Sequence, residues 1–238
     1  MTTQLRNIIG PIFHAVVCSH HIYAISYSNK EKDFSQVTDE RVLDLNEFAP
    51  VYFTAWNMII QTIYFLLAVL YDVLHICSKK KNLKEKIMLY KGYIFTSLVF
   101  PCSLFVSAMF WSVYSIDREL VFPEVLDEHV PDWLNHSLHT NIVVFLVIEV
   151  LIVNQLLPTF KSAFIGLTIL SGIYQLLFFI TYFKSGRWIY GLFNIFSWTE
   201  RIAFMCSNYL FTVIVMKIGI KIQNFKHSLV RPSIRQKN

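Results

Sequence analysis

Long apolar runs separated by short charged segments dominate this chain. Six of them approach the roughly 20 mostly apolar residues that a membrane-crossing helix needs. They fall at about residues 8–26, 51–77, 92–114, 134–153, 162–183 and 201–222. The first run is the weakest, because His14, His20 and His21 interrupt it. A secretory signal is the rival reading of that segment. It is set aside because the apolar run is broken and no clear small-residue cleavage site follows. The pattern predicts an all-α fold, a polytopic transmembrane helix bundle of about six spans, with residues 1–238 forming one domain.

The polar segments between the runs carry most of the remaining information. Residues 27–50 mix Lys30, Lys32 and Arg41 with Glu31, Asp33, Asp39, Glu40, Asp44 and Glu47, and read as a non-cytosolic loop. The loop ends at Pro50, a residue suited to the first turn of a helix. Residues 82–91 mix basic and apolar side chains and read as a short interfacial helix. In 115–133, Asp117-Arg118-Glu119, Phe122-Pro123 and Asp127 lead to Trp133, placed by its type at the headgroup level. Gly186-Arg187-Trp188-Ile189-Tyr190-Gly191 is a second aromatic rim segment, and residues 223–238 read as a basic cytosolic tail. No internal repeat or low-complexity tract interrupts this plan.

Composition agrees with lipid as the solvent. Hydrophobic residues make up 55% of the chain and charged residues 16%, against about a quarter charged in soluble domains. With six spans, fourteen Lys and Arg fall on the side of the termini and seven on the other. The positive-inside rule therefore puts both termini in the cytosol. On this reading the net charge of +5 is a topology signal. Its clusters beside the second and sixth spans also attract anionic membrane lipids, and nucleic acid is not expected as a partner. Cys18, Cys77, Cys102 and Cys206 lie in or beside spans, so no disulfide framework is implied. Cys77, next to Lys79–Lys81, is placed where palmitoylation occurs, although a small inert apolar residue is the favoured reading.

Two polar residues suggest chemistry. Thr54 follows Glu47 by seven positions in the second span, and His139 follows Asp132 by seven in the fourth. At about 1.5 Å per residue, each lies roughly 10 Å inward of its charged flank, on two spans that run in the same direction. A hydroxyl becomes a useful nucleophile once a neighbouring base removes its proton, and imidazole is the usual base near neutral pH. The bland reading of a membrane threonine is a hydroxyl bonded to the carbonyl one turn earlier. An intramembrane histidine is a functional candidate by default.

Several neighbours bear on this pair. Asn135, four residues before His139, is spaced to hold the second ring nitrogen. His136 shares a helix face with His139, but only His129 is close enough in sequence to extend the two towards the three or four ligands of zinc, so no metal is expected. Arg201 could hold a substrate carboxylate, against interfacial snorkelling as the plain alternative. Glu149 and Lys217 read as a structural ion pair inside the membrane.

The strings Phe53-Thr54 through Gln61-Thr62, Asp117-Arg118-Glu119-Leu120 with Phe122-Pro123 and Leu126-Asp127, and Trp133-Leu-Asn-His-Ser-Leu-His-Thr140 resemble the androgen-induced and androgen-dependent TFPI-regulating protein family. The resemblance runs from about the second span to the sixth. Gly191 departs from it, standing where the family usually has proline, and the first 45 residues match nothing in it. What the resemblance implies is an integral-membrane hydrolase of fatty acid esters of hydroxy fatty acids, with a threonine nucleophile and a histidine. The matching positions here are Thr54 and His139.

The expectation is thus an acyl-enzyme hydrolase that takes a lipid ester from the bilayer without a cofactor, in the plasma membrane or endoplasmic reticulum. Asn135, His136 and Arg201 are expected to bind or orient the substrate. The oligomeric state is left open. The alternative is a non-catalytic multi-pass regulator acting through protein partners. A haem or di-iron protein would need paired mid-span histidines on several helices or repeated His-rich boxes. A transporter built from repeats would need internal duplication.

Overall fold

A computed structural model describes residues 3–30 and 37–230. Ten α-helices are present among them: α1 Thr3–Ser28, α2 Glu40–Glu47, α3 Phe53–Cys77, α4 Lys81–Ile94, α5 Phe100–Ile116, α6 Asp132–His136, α7 Ile142–Ile152, α8 Phe160–Ser185, α9 Leu192–Ile195 and α10 Trp198–Val230. The described residues contain no strand. Two wide π turns, Phe95–Val99 and Ser137–Asn141, join α4 to α5 and α6 to α7. Six continuous helices result that are long and apolar enough to span a bilayer: Ile8–Ser28, Phe53–Cys77, Lys81–Ile116, Asp132–Ile152, Phe160–Ser185 and Trp198–Leu229. The protein is a multi-pass integral membrane protein, as the apolar runs predict.

Local signals set the helix boundaries. Pro50 lies in a 3-10 turn, Ala49–Val51, that leads into α3. Asp39 caps α2 by accepting the Arg41 N–H at 2.9 Å, and Thr159 caps α8 by accepting from Ser162 N–H at 3.2 Å. Gly186, at φ 72°, ends α8 in the left-handed conformation that glycine tolerates best.

The three longest connections between the spans, those after α1, α5 and α8, gather at one end of the bundle, here called the loop end. Arg41 donates to Glu119 at 2.9 Å, Arg187 donates to Asp44 and, at 2.6 Å, to Glu47, and the Tyr190 hydroxyl accepts the Phe53 N–H at 3.2 Å. Gly191 lies against the Arg118–Leu120 turn, where a Cβ would stand 3.3 Å from the carbonyl oxygens of Glu119 and Leu120.

Three expectations are corrected. Residues 82–91 do not form a separate interfacial helix; they open the third crossing, whose Lys91 is buried, its ammonium 5.4 Å from the Tyr64 ring and 5.5 Å from the Tyr71 ring. Residues 27–50 are not all loop, because α2 forms within them. The expected Glu149–Lys217 pair is absent: Lys217 is exposed, its ammonium 5.4 Å from the Phe160 ring, while Glu149 is fully buried among other partners. The tail expected over 223–238 is helical as far as Val230, and its remainder lies outside the described residues.

Those partners form a polar centre that ties three helices together. His14 of α1 places Nδ1 2.6 Å from Asp72 of α3 and Nε2 2.9 Å from Glu149 of α7. Tyr64 donates its hydroxyl to Glu149, and the Gln155 amide donates to Glu149 at 3.0 Å and to the Tyr64 oxygen at 2.6 Å. Further along α1 and α3, His21 Nε2 meets Gln61 at 3.0 Å, and Gln61 donates to Ser103 at 2.6 Å. Histidines that weaken the first run as an apolar segment thus hold α1 in the bundle, since a polar group in hydrocarbon needs an internal partner.

Candidate active site

Thr54 is the second residue of α3, and this position changes what its hydroxyl does. Thr62, Thr168 and Thr181 donate to the carbonyl four residues earlier, at 2.7, 2.8 and 2.9 Å. For Thr54 that carbonyl belongs to Pro50, which already accepts from the Trp56 indole at 3.0 Å. The Thr54 hydroxyl lies instead 3.3 Å from Nε2 of His139. The two residues that depth and chemistry select are therefore in hydrogen-bond reach.

His139 sits in the π turn Ser137–Asn141, a feature often found at functional sites. Its ring stacks face to face on Phe110, with centroids 3.5 Å apart and planes 8° from parallel. Nδ1 faces two oxygens, Asn135 Oδ1 at 2.8 Å and the Asn135 carbonyl at 3.1 Å. A nitrogen facing two acceptors is the one that carries the proton. The carbonyl has no alternative orientation, so this assignment does not depend on how the Asn135 amide is turned. Nε2 is left as the acceptor for the Thr54 hydroxyl, the arrangement a general base requires.

The pair opens on a cavity of ≈ 770 Å³ between the helices. Arg41, Asp44 and Glu119 line it at the loop end; Met58, Cys102, Val106 and Leu167 line it further in. Ile59 also lines it and is 51% exposed within its span, which gives the cavity an edge on the membrane-facing side. At the mouth, hydrogen bonds from Arg41 hold the Asp39 carboxyl down to about 2. Asp44 is held above the usual carboxylate range because partial burial outweighs the neighbouring Arg187 guanidinium.

Of the other expected site residues, Asn135 touches His139 directly, while His136 and Arg201 do not line the cavity. His136 is exposed; its ring stacks on Trp111 at 5.5 Å and its Nδ1 lies 3.1 Å from the Thr140 hydroxyl. Arg201 donates Nε–H to the Phe193 carbonyl at 3.0 Å and lies over the Trp188 and Trp198 rings at 4.8 and 5.0 Å. These contacts turn its guanidinium towards the aromatic rim. Sequence reasoning missed Phe110, Tyr174 and Tyr190. The last two place their hydroxyls 3.2 Å apart beside the start of α3. The only prior signal was Tyr190's place in the aromatic rim segment. Among the described residues, no three His, Cys, Asp or Glu side chains gather as a metal site would need.

Comparison with known proteins corrects one expectation: the first 45 residues, read as matching nothing in the family, fall from residue 10 onward within the family profile's match. The FAR-17a/AIG1-like protein family profile matches residues 10–224. The androgen-dependent TFPI-regulating protein of Mus musculus is 32% identical over 191 residues, 79% of this chain and 81% of that protein. Its Homo sapiens counterpart is 31% identical over 216 residues, covering 90% and 92%. The human androgen-induced gene 1 protein is 28% identical over 181 residues, covering 73% and 76%. No solved structure matches the chain.

Proposed function

The chain belongs to the FAR-17a/AIG1-like protein family, and from its geometry we propose that it is an intramembrane hydrolase of lipid esters with Thr54 as nucleophile and His139 as base. The observation that carries this reading is the 3.3 Å approach of Thr54 Oγ1 to His139 Nε2 on the wall of a lipid-sized cavity. In the first step His139 Nε2 takes the hydroxyl proton and Thr54 Oγ1 bonds to the ester carbonyl carbon. The proton then passes from His139 to the departing alkoxide as the ester C–O bond breaks, leaving an acyl-threonine and a free alcohol. A water deprotonated by the same nitrogen attacks the acyl carbon, and the fatty acid leaves as the Thr54 hydroxyl is restored.

The negative charge that develops on the carbonyl oxygen needs donors. The Phe53 N–H is taken by Tyr190, and the Ala55 and Trp56 N–H groups by the Tyr52 carbonyl at 3.0 and 3.4 Å. The N–H of Thr54 itself, at the positive end of α3, is the first-turn amide left for this task. Fatty acid esters of hydroxy fatty acids, the substrates that the family resemblance implies, suit a cavity with a charged mouth and an apolar interior.

The test uses purified protein in lipid nanodiscs, a fluorophosphonate probe and a hydroxy fatty acid ester. Wild type is expected to label and turn over, and Thr54→Ala and His139→Ala to lose both by at least a hundredfold, the scale of general-base catalysis. Labelling and turnover that persist in both variants would overturn the proposal. The relatives' names speak of TFPI regulation; a partner-binding role of that kind would survive Thr54→Ala.

A further inference from the structure

The cavity wall formed by α8 and α10 carries polar side chains that the hydrolytic pair does not use. Two contacts fix how these antiparallel helices are matched. Tyr182 packs on Trp198 with centroids 6.0 Å apart, and the Thr168 and Tyr209 hydroxyls are 2.7 Å apart. This register places Asn208 level with Ser171, within a residue or two. Gln175 is four residues from Ser171, one helical turn nearer the loop end. All three line the cavity.

Their side chains stand out for having nothing to bond. Thr168 and Thr181 of α8 and Thr212 of α10 satisfy their hydroxyls on their own backbones. No described residue hydrogen-bonds the side chains of Ser171, Gln175 or Asn208. Two primary amides in the middle of a membrane are costly unless something in the cavity pairs with them. They are also well matched to each other in function, since each amide offers two donors and an acceptor.

We propose that Gln175, Ser171 and Asn208 form a polar subsite for a hydroxyl carried part-way along an acyl chain. This deepens the hydrolase reading and rests on it for the identification of the bound lipid as substrate. The charged side chains that line the cavity, Arg41, Asp44 and Glu119, all belong to the loop end. At the depth of Asn208 an ionised carboxylate would meet no cation, so the subsite selects an uncharged oxygen group. Amides that both donate and accept fit a hydroxyl, which does the same.

The position relative to Thr54 is also defined. Tyr174, adjacent to Gln175, packs on Phe53 and Trp56 with centroids 4.7 and 5.7 Å apart, flanking Thr54. Gln175 is thus near the level of the nucleophile, and Ser171 and Asn208 lie about one turn, ~5.4 Å, further from the loop end. A hydroxyl on the acyl chain at that separation from the reacting carbonyl would reach them. One displaced further along the chain would not.

The experiment uses octadecanamide and a series of octadecanamides with one hydroxyl stepped along the chain, which are not esters. Each competes with radiolabelled octadecanamide for wild-type protein in nanodiscs. One or two hydroxyl positions are expected to bind about tenfold tighter than the plain amide, and Gln175→Leu and Asn208→Leu each to bring that ratio near one. Ser171→Ala, a smaller change, should reduce it partially. A wild type that prefers no hydroxyl position, or a preference that survives in both leucine variants, overturns the subsite. Binding here needs no turnover, so a hydroxyl preference in a protein that fails the Thr54 test would sink the hydrolase alone.

Discussion

The polar centre around Glu149 yields an asymmetric prediction for two substitutions that look equivalent. Glu149 accepts three side-chain contacts, from His14, Tyr64 and Gln155. In Glu149→Leu each of those three side chains keeps one other contact, His14 Nδ1 with Asp72 and the Gln155 amide with the Tyr64 oxygen, while the Tyr64 O–H and His14 Nε2 lose their partner without leaving a charge unpaired. The loss is three contacts at an average of ~0.6 kcal/mol each inside a membrane, about 2 kcal/mol in all. In His14→Leu the shared partner of two carboxylates disappears, and Glu149 is fully buried. Breaking a buried charge pair by deleting one member costs about 3–5 kcal/mol. At roughly 2–4 °C per kcal/mol for a chain of this size, the expected falls in Tm are about 4–8 °C for Glu149→Leu and about 6–20 °C for His14→Leu. The double variant should be more stable than His14→Leu alone, since it also removes the stranded carboxylate. Thermal unfolding in one detergent, followed by tryptophan fluorescence, measures all four proteins. A Glu149→Leu variant as unstable as His14→Leu, or strictly additive effects, would refute this account.

Two further outcomes follow from the site and its roof. Asn135→Ala removes the 2.8 Å contact to His139 Nδ1 but leaves the backbone carbonyl at 3.1 Å, so the working tautomer persists and ester turnover should fall about five- to tenfold, the worth of one hydrogen bond; a loss as large as that of His139→Ala would contradict it. The Asp39 carboxyl, held down to about 2 by Arg41, has a folded-state pKa below its unfolded value, so the α2 cap is fully supported above about pH 4 and weakens as pH falls towards 2. Protection of the amides in residues 40–47, taken relative to intrinsic exchange at each pH, should fall in that window and hold steady between pH 5 and 8.

The crossings were legible in the sequence because apolar length is a one-dimensional property. The approach of Thr54 to His139 was legible because depth along a helix is nearly so. What depth does not contain is rotation about the helix axis, and the misplacements share that cause. Glu149 and Lys217 lie on spans that could have brought them together, yet Lys217 turns outward beside Phe160 and Glu149 turns inward to His14. His136 is three residues from His139 and faces Trp111, while Arg201 is drawn onto two indoles. Residues 82–91 have the composition of an interfacial segment, and only packing shows that Lys91 shelters its ammonium against two tyrosine rings. The polar positions of α8 and α10 carry no motif, so their convergence emerges only once the helices are placed side by side.

The wide turn at Ser137–Asn141 separates the fourth crossing into two independently phased halves. One surplus residue there offsets everything beyond it by roughly 100° from an uninterrupted α-helix. The segment ahead of the offset aims at the threonine, and the segment after it anchors Glu149 among α1 and α3. Deleting Thr140 or Asn141 would swing the imidazole of His139 and the anchoring carboxylate out of step with each other, even though neither of those two side chains had been altered.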